Sequence, residues 1–319
     1  MLSIDGGMTV IELIDFDQWI KPKDLSEASG TSEKMWLRSP DGEKTGLFKF
    51  PKVQDYPGRP ESISTEHISE WIASQIGEHL DVTCAKVKLG YRDGRIGSLS
   101  VLVPELSNSS AALVEGVNFI KEKYPQYDAN AMMNVADNTY YCLEHILNAT
   151  KDYLPTQFWV KVLLFDFLIG NSDRHHSNWA LLKQSDQQYA PCPLYDNGSS
   201  LCSYVTEEQM ERLFSKDAGP MKRQTDSGSC SRIRIDGRIK KIPTHKMVIQ
   251  HILIKYPRIT VPIAQSFLKY LTPDQVDSIL VQIPADIFST DRKQLVSCFL
   301  TRKLEILSRL LEEGESTYG

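Results

Sequence analysis

The sequence predicts an α+β chain of two lobes, a small β-rich lobe over residues 1–105 and a larger, mostly helical lobe over residues 106–319. Two observations predict this arrangement. Up to about residue 103, short apolar runs alternate with turn residues, as in Ser39-Pro40-Asp41-Gly42, which is typical of strands joined by hairpins. From about residue 107, apolar residues recur at three- and four-residue steps, which is typical of helices. A chain of 319 residues is long enough to bury a sizeable core in such a fold.

The amino-terminal lobe is expected to contain a hairpin, a helix and a second hairpin, in that order. Residues 35–38 and 46–50 are strand-like and flank the Pro-Asp-Gly turn. The helix is expected to begin at Ser64-Thr65-Glu66 and to bury one apolar face. That face consists of Ile68, Trp71, Ile72, Ile76 and Leu80. Residues 82–103 return to a strand-like composition, with a turn at residues 91–95 between two apolar runs.

The carboxy-terminal lobe is expected to consist mainly of helices, over residues 129–149, 154–169 and several between 248 and 313. Residues 154–169 are apolar almost all round and should therefore be buried in the centre of the lobe. Residues 179–182 and 189–194 predict a short hairpin after that helix. Residues 205–246 are polar, rich in Ser and Gly and locally basic. They predict either a solvated surface loop or a segment that contacts a substrate.

Composition and charge exclude several classes of protein. A formal net charge of −5 argues against direct nucleic-acid binding. No apolar run reaches the roughly 20 residues that cross a bilayer, and the acidic start of the chain lacks the basic region of a signal peptide. The six cysteines form no Cys-x-x-Cys pair, which favours reduced thiols over a zinc site. We therefore expect a cytoplasmic protein, or one secreted without a conventional signal peptide.

Three side chains carry the strongest functional signal. Asp173 and Asn178 stand five positions apart after the apolar helix, and Asp196 begins an Asp-x-Gly turn. Transfer of a phosphoryl group from ATP requires one carboxylate to orient or deprotonate the hydroxyl, and an amide oxygen and a second carboxylate to hold Mg²⁺. Protein kinases have this spacing. The sequence therefore predicts a catalytic Asp173 with Asn178 and Asp196 as metal ligands. A helix cap and two turn residues would explain each residue singly, but not their joint spacing.

Lys49 is the candidate lysine for the phosphates of ATP, since a charged side chain inside an apolar strand needs partners. In kinases this lysine pairs with a glutamate of the following helix. We expect Glu66 to be that partner, with Glu70 as the fallback one turn later. The alternatives are a lysine that reaches solvent and an exposed glutamate in the first helical turn. Where the lobes join, Val103 and Glu105 are expected to bind adenine.

The loop before the Lys49 strand is expected to surround phosphate oxygens. Gly30, Thr31 and Ser32 are small residues whose backbone N–H groups could bind an anion, and Lys34 would add a positive charge. The loop matches neither Gly-x-Gly-x-x-Gly nor a Walker A motif. The prediction therefore depends mainly on its position before Lys49. Further along, Arg174 is expected to pair with an acidic or phosphorylated residue.

These motifs resemble the HipA-like serine/threonine kinase family in its carboxy-terminal kinase region. The resemblance is carried by Ile169-Gly170-Asn171-Ser172-Asp173-Arg174-His175-His176-Ser177-Asn178, Tyr195-Asp196, Glu66-His67 and Ser32-Glu33-Lys34. Phe158-Trp159 and residues 197–201 are similar to the stand-alone, CtkA-like branch. The resemblance implies a two-lobed protein-kinase-like fold. It also implies an ATP- and Mg²⁺-dependent protein serine/threonine kinase, of the toxin or secreted-effector kind.

The resemblance also implies regulation. Family members autophosphorylate a serine in or next to the phosphate loop, and Ser26, Ser29 and Ser32 are the candidates here. A phosphoserine would place about −1.5 to −2 charges where the phosphates of ATP belong, which would inhibit the enzyme. The implied partners are a protein substrate and an antitoxin-like or regulatory protein. This chain has almost no room for the extra N-terminal subdomain of the toxin members.

Two alternatives remain open from the sequence. Asp-Arg-His-x-x-Asn also occurs in phosphoinositide kinases, and the basic residues between Arg232 and Lys241 could bind anionic head groups. The other alternative is a nucleotide-binding pseudokinase that acts as a binding module. Against that, all the side chains that phosphoryl transfer needs are present.

Overall fold

The computed structural model describes residues 4–5, 8–23, 33–54, 62–103, 106, 110–185, 188–214 and 219–318. Its strands are β1 (Ile4–Asp5), β2 (Met8–Thr9), β3 (Ile14–Asp15), β4 (Lys34–Arg38), β5 (Thr45–Lys49), β6 (Val53–Gln54), β7 (Ser62–Ile63), β8 (Val87–Arg92), β9 (Arg95–Val101), β10 (Ala112–Glu115), β11 (Tyr127–Asp128), β12 (Met133–Asn134), β13 (Thr139–Tyr140), β14 (Ala180–Lys183) and β15 (Tyr189–Pro191). Its helices are α1 (Glu66–His79), α2 (Gly116–Lys123), α3 (Leu143–Thr150), α4 (Thr156–Ile169), α5 (Glu207–Leu213), α6 (Gly219–Thr225), α7 (His245–Lys255), α8 (Pro257–Tyr270), α9 (Pro273–Leu280) and α10 (Thr290–Tyr318).

The amino-terminal lobe is built on a five-stranded sheet in the order β3-β8-β9-β5-β4. Both predicted hairpins are present in it. The β8–β9 hairpin turns through Asp93 and Gly94, whose φ angles of 52° and 71° suit the tight turns that match the strand twist. Helix α1 packs on β8 and β9, and all five of its predicted apolar positions are buried. The sheet therefore holds β5, and with it Lys49, in a fixed position.

The carboxy-terminal lobe is organised around α4. Ten of its fourteen residues are buried, as the apolar sequence predicts, because α7, α8 and α10 pack around it. The helix ends at Gly170, whose φ of 68° is left-handed and suits glycine. A Cβ at this position would lie 2.7 Å from Cζ of Phe299. This glycine therefore ends the helix in close contact with α10, immediately before the predicted catalytic loop.

The helix predicted over residues 129–149 is wrong in its first half. Residues 127–140 form the three short strands β11, β12 and β13, and the helix begins only at Leu143. The carboxylate of Asp128 accepts hydrogen bonds from the backbone N–H groups of Asn130 and Ala131, and Asp137 accepts one from Thr139. These local bonds compete with helical ones and favour turns.

The loop expected over residues 205–246 is also partly wrong, because α5 and α6 lie within it. Thr206 and Gln209 form a reciprocal capping box at the start of α5, a pattern that is visible in the sequence. Thr225 and Ile233 are each only 1% exposed. The described part of this segment is therefore folded onto the lobe, although it carries many polar residues.

The structure bears on two expectations from composition, which concern the cysteines and membrane-crossing segments. None of the six cysteines, all of which are described, forms a disulfide bond. In the described part of the chain, no helix combines the length and the apolar character that crossing a membrane requires.

Candidate active site

A cleft of about 580 Å³ lies between the sheet of the amino-terminal lobe and the loops that follow α4. The predicted site residues that line it are Lys34, Lys49, Glu66, Val103, Asp173, Asn178 and Asp196. Residues that are distant in sequence therefore meet in one cleft. The other predicted positions lie outside the described residues: Ser26, Ser29, Gly30, Thr31, Ser32 and Glu105.

Lys49, at the end of β5, contacts two carboxylates. Its Nζ lies 2.7 Å from Oδ1 of Asp196 and 3.4 Å from Oε1 of Glu70. The prediction that Glu66 pairs with Lys49 is therefore wrong. The partner of Lys49 is Glu70, the fallback. Glu66 instead accepts hydrogen bonds from Ser64 and from the hydroxyl of Tyr204. Glu66 and Glu70 are four positions apart and share one side of α1. They differ in depth along the helix, since Glu66 is in its first turn and Glu70 is buried one turn further on.

Lys49, Glu70 and Asp196 shift one another's pKa values. Burial alone would lower the pKa of Lys49, but the carboxylates of Glu70 and Asp196 outweigh it and raise that pKa. Burial raises the pKa of Glu70, and Lys49 offsets only part of the effect. For Asp196, burial acts upward, but the contact with Lys49 dominates and lowers its pKa. Asp196 is therefore ionised at neutral pH and suited to holding a cation.

Lys34 and Lys49 face each other as a directly opposed pair on β4 and β5. Residues opposed in this way share one face of the sheet, and like charges there are destabilising. Burial and the charge of Lys49 lower the pKa of Lys34, and Asp196 offsets part of this effect. Lys34 and Lys49 thus lie together near Asp196 at the predicted phosphate position. Two ammonium groups side by side are suited to charge-assisted hydrogen bonds with phosphate oxygens.

The other end of the cleft is apolar. Val103 and Leu106 line the cleft and pack against a small buried cluster of Ala180, Leu182 and Cys192. An apolar wall with backbone groups at its edge suits a planar base. A role for Val103 in binding adenine stays a prediction.

Arg174 holds the predicted catalytic loop, residues 171–178, in place. This side chain is 1% exposed and forms two hydrogen bonds to the carboxylate of Asp166, at 2.8 and 3.1 Å. The same guanidinium donates to the backbone oxygens of Asn178 and Tyr195, each at 2.9 Å. The expected acidic partner of Arg174 is therefore present. We did not predict Asp166, although a carboxylate in an otherwise apolar helix is costly without a partner and thus marks such a contact.

Asp173 and Asn178 are oriented by backbone contacts. The N–H of Asp173 donates to Oδ1 of Asn171 at 3.0 Å, and the side-chain NH₂ of Asn178 donates to the carbonyl of Asp173 at 2.8 Å. Because a carbonyl only accepts, the amide oxygen of Asn178 remains available to a cation. The carboxylate side chain of Asp173 is 43% exposed and lies 3.9 Å from Nε2 of His175. Burial raises its pKa, which His175 partly offsets.

These donors fit magnesium shared with a nucleotide. Among the described residues, no three His, Cys, Asp or Glu side chains lie together in a way that could hold a metal ion. Asn178 and Asp196 supply one amide oxygen and one carboxylate. Mg²⁺ prefers oxygen ligands and is usually bound by one or two carboxylates together with substrate phosphates.

A buried chain of hydrogen bonds supports the catalytic loop from α10. The carbonyl of Asn171 lies 3.0 Å from Nε2 of His245, Nδ1 of His245 lies 2.9 Å from Oγ of Ser229, and that Oγ lies 2.8 Å from Nζ of Lys303. The carbonyl only accepts, so neutral His245 donates to it from Nε2 and accepts at Nδ1 from the hydroxyl of Ser229, whose Oγ then accepts from Nζ of Lys303. Burial lowers the pKa of His245 to about 3, which keeps it neutral. We did not predict this chain, although Lys303 interrupts the apolar face of Leu300, Leu304 and Leu307.

Lys303 should make stability depend on pH. It is fully buried, and burial lowers its pKa from 10.5 to about 7; Asp226, Cys202 and Cys230 act in the opposite direction. The unfolded state therefore binds more protons between those two values, and stability should rise with pH there, by up to about 1.4 kcal/mol per pH unit. Denaturant unfolding between about pH 7 and pH 10 should show this slope, and Lys303→Met should remove it. Equal slopes for both proteins would contradict the expectation.

Comparisons with known proteins show the family of this chain and its fold. A family model described as HipA-like C-terminal domain matches residues 26–248. The serine/threonine-protein kinase CtkA of Helicobacter pylori (strain J99) is 22% identical over 183 residues, which is 55% of this chain and 55% of that protein. The match thus spans about half the length of this curated relative.

Two solved structures have a similar fold. The crystal structure of the proinflammatory kinase CtkA from Helicobacter pylori matches with a TM-score of 0.76 and 16% identity, over 95% of this chain and 99% of that chain. A chain from the HipA, HipB and operator DNA complex of Shewanella oneidensis MR-1 matches with a TM-score of 0.56 and 13% identity, over 95% and 70%. These matches confirm the predicted two-lobed kinase-like fold.

Proposed function

The chain belongs to the HipA-like C-terminal domain family, and from that premise we propose that it is an ATP- and Mg²⁺-dependent protein serine/threonine kinase. One observation carries the proposal. Lys49, Asp173, Asn178 and Asp196 line a single cleft between two lobes, and these are the side-chain types that phosphoryl transfer requires.

Each residue has a role that its surroundings support. Asp173 accepts or orients the proton of the attacking hydroxyl, since its half-exposed carboxylate faces the cleft. Asn178 and Asp196 bind Mg²⁺, which when bound neutralises charge on the phosphates. The ammonium of Lys49 has three N–H donors, of which two serve Glu70 and Asp196. The third is available to phosphate oxygens.

The proposal extends to regulation and partners. We expect autophosphorylation at Ser26, Ser29 or Ser32, a protein substrate, and a regulatory protein partner of the antitoxin kind. The Shewanella oneidensis complex, which contains HipA, HipB and operator DNA, supports the partner. Direct contact of this chain with nucleic acid is not part of the proposal. The protein acts in the cytoplasm as a toxin, or outside the cell as a secreted effector.

Incubation with γ-labelled ATP tests the activity. We expect Mg²⁺-dependent label on a serine of the chain, lost with a chelator and strongly reduced by Asp196→Asn, because that change removes the only metal-binding carboxylate that we assign. Mass spectrometry of the labelled peptide identifies the serine. Absence of label on the chain and on added proteins, with ATP binding intact by thermal shift, would contradict the proposal and favour a pseudokinase. Label that appears only on lipids in anionic vesicles would favour a lipid kinase.

A further inference from the structure

A strongly basic loop, residues 230–244, lies beside the catalytic loop and has no part in the mechanism above. It contains five basic residues and one acidic residue, a net charge of +4. Its only carboxylate, on Asp236, is already paired with Arg238 at 2.8 Å. The remaining positive charges belong to Arg232, Arg234, Lys240 and Lys241. They form a local positive region on a molecule whose overall charge is −5.

The basic loop is held in one conformation. Its ends pair through the bridge between Cys230 and Thr244. Its middle is attached to the segment that leads into α3, where the carbonyl of Arg234 accepts from Leu143 at 2.8 Å and the carbonyl of Gly237 accepts from Tyr140 at 2.7 Å. A preorganised surface binds a ligand without first losing conformational entropy.

The basic loop adjoins the reacting centre, because His245, which directly follows the loop, lies with Nε2 3.0 Å from the carbonyl oxygen of Asn171, two positions before Asp173. Burial raises the pKa of Asp173, and the positive charges of His175 and Arg232 partly offset this effect. The guanidinium of Arg234 lies 4.8 Å from the ring centroid of Tyr140 and donates to the backbone carbonyl of Lys240 at 2.8 and 3.0 Å. The loop is thus adjacent to the side chain that would receive the substrate hydroxyl.

The remaining charges on the basic loop form no ion pair with the described residues. Arg232 and Arg234 are partly buried, and burial and the charge of Arg232 lower the pKa of Arg234. Within the described part of the chain, no carboxylate lies within ion-pair distance of Arg232, Arg234, Lys240 or Lys241. Bound carboxylates would offset this effect and form charge-assisted hydrogen bonds with the guanidinium groups.

We propose that the basic loop binds acidic side chains of the protein substrate, next to the serine or threonine that faces Asp173. This inference rests on the proposed kinase function and adds the substrate class to it. A protein is favoured over a nucleic acid because the positive region is small and the rest of the molecule is acidic. It is favoured over a lipid surface because the arginines adjoin the residue that would receive a side-chain hydroxyl.

Peptide binding to the full chain tests the inference. The probes are two fluorescent peptides with one central serine, flanked by glutamates in one and by glutamines in the other, read by fluorescence anisotropy. We expect the glutamate peptide to bind at least about tenfold more tightly at low ionic strength, with an affinity that falls as salt is added. Equal affinities, or no binding of the glutamate peptide at millimolar concentration, would overturn it.

Variants locate the binding site. Arg232→Ala should weaken binding of the glutamate peptide by about tenfold and leave the glutamine peptide unchanged. Because Arg232 is partly buried, the exposed pair Lys240→Ala and Lys241→Ala serves as a second variant that should keep its fold. Arg258→Ala on α8 removes the same charge from an exposed distant position and should change nothing. An equal loss in the Arg258 variant would overturn the assignment.

Two further outcomes distinguish a failure of the acidic-substrate inference from a failure of the proposed kinase function. Labelled ATP reports the kinase function independently, so label on the chain without a preference for glutamate overturns the inference alone. Tighter binding of single-stranded oligonucleotides or anionic vesicles through the same residues would also overturn it. A preference for glutamate that is lost in Arg232→Ala supports the binding site, whether or not phosphate transfer is detected.

Discussion

Replacing Asp173 by Ala is expected to reduce phosphate transfer by roughly 10²- to 10⁴-fold, the usual effect of losing a positioned general base. Its carboxylate is 43% exposed and lies 3.9 Å from Nε2 of its neighbour His175. The loop itself is held by other groups, the side chains of Asn171 and Arg174. The variant should therefore keep its fold and its affinity for ATP. The rate of transfer from labelled ATP and the midpoint of thermal unfolding measure the two effects.

Asp152→Ala is a matched control for this experiment. Asp152 is an exposed aspartate just after α3, outside the cleft, and its loss should leave the rate unchanged. Asp173→Asn should be as inactive as Asp173→Ala, because an amide cannot accept the proton. If an Asp173 variant kept more than about a tenth of the wild-type rate, Asp173 would not be the general base, whose loss costs roughly 10²- to 10⁴-fold in rate.

A second large effect on the rate of phosphate transfer is expected when Lys49 or its partner Glu70 is replaced. Lys49→Met should lower the maximal rate by roughly 10²- to 10³-fold, as expected when a donor that stabilises transition-state charge is lost. Glu70→Gln should lower it by about tenfold, since the lysine would keep Asp196 but lose the carboxylate 3.4 Å away. Glu66→Gln should have little effect, because Glu66 contacts Ser64 and Tyr204 and not Lys49.

Comparing Glu66→Gln with Glu70→Gln shows which glutamate supports Lys49 in catalysis. Both changes replace one carboxylate by an amide on the same helix, α1, so general effects on the helix are matched. Steady-state phosphorylation at saturating ATP measures the rate, and thermal shift with ATP measures binding. A larger loss for Glu66→Gln than for Glu70→Gln would show that the catalytic pair differs from the pair in this structure.

The sequence determined the features that depend on neighbours along the chain. The β4–β5 hairpin follows from one Pro-Asp-Gly turn between two apolar runs, and the burial of α4 follows from its apolar residues. The spacing between Asp173 and Asn178 is also local, because one loop contains both residues. The helix wrongly predicted over β11 to β13 could have been avoided, because Asp128 and Asp137 are turn-forming residues whose carboxylates bind nearby N–H groups.

Only the tertiary structure decided which distant side chains meet. The choice of Glu70 over Glu66 depends on where α1 lies along its own axis relative to β5, because the two glutamates share one side of the helix and are one turn, about 5.4 Å, apart. Lys303 reaches Ser229 across 74 positions of sequence, through the packing of α10 on α4. Periodicity predicts that a face is buried, but not which element covers it. Pairing between distant residues depends on the joint packing of all the elements, which gives the basic loop its place beside Asp173.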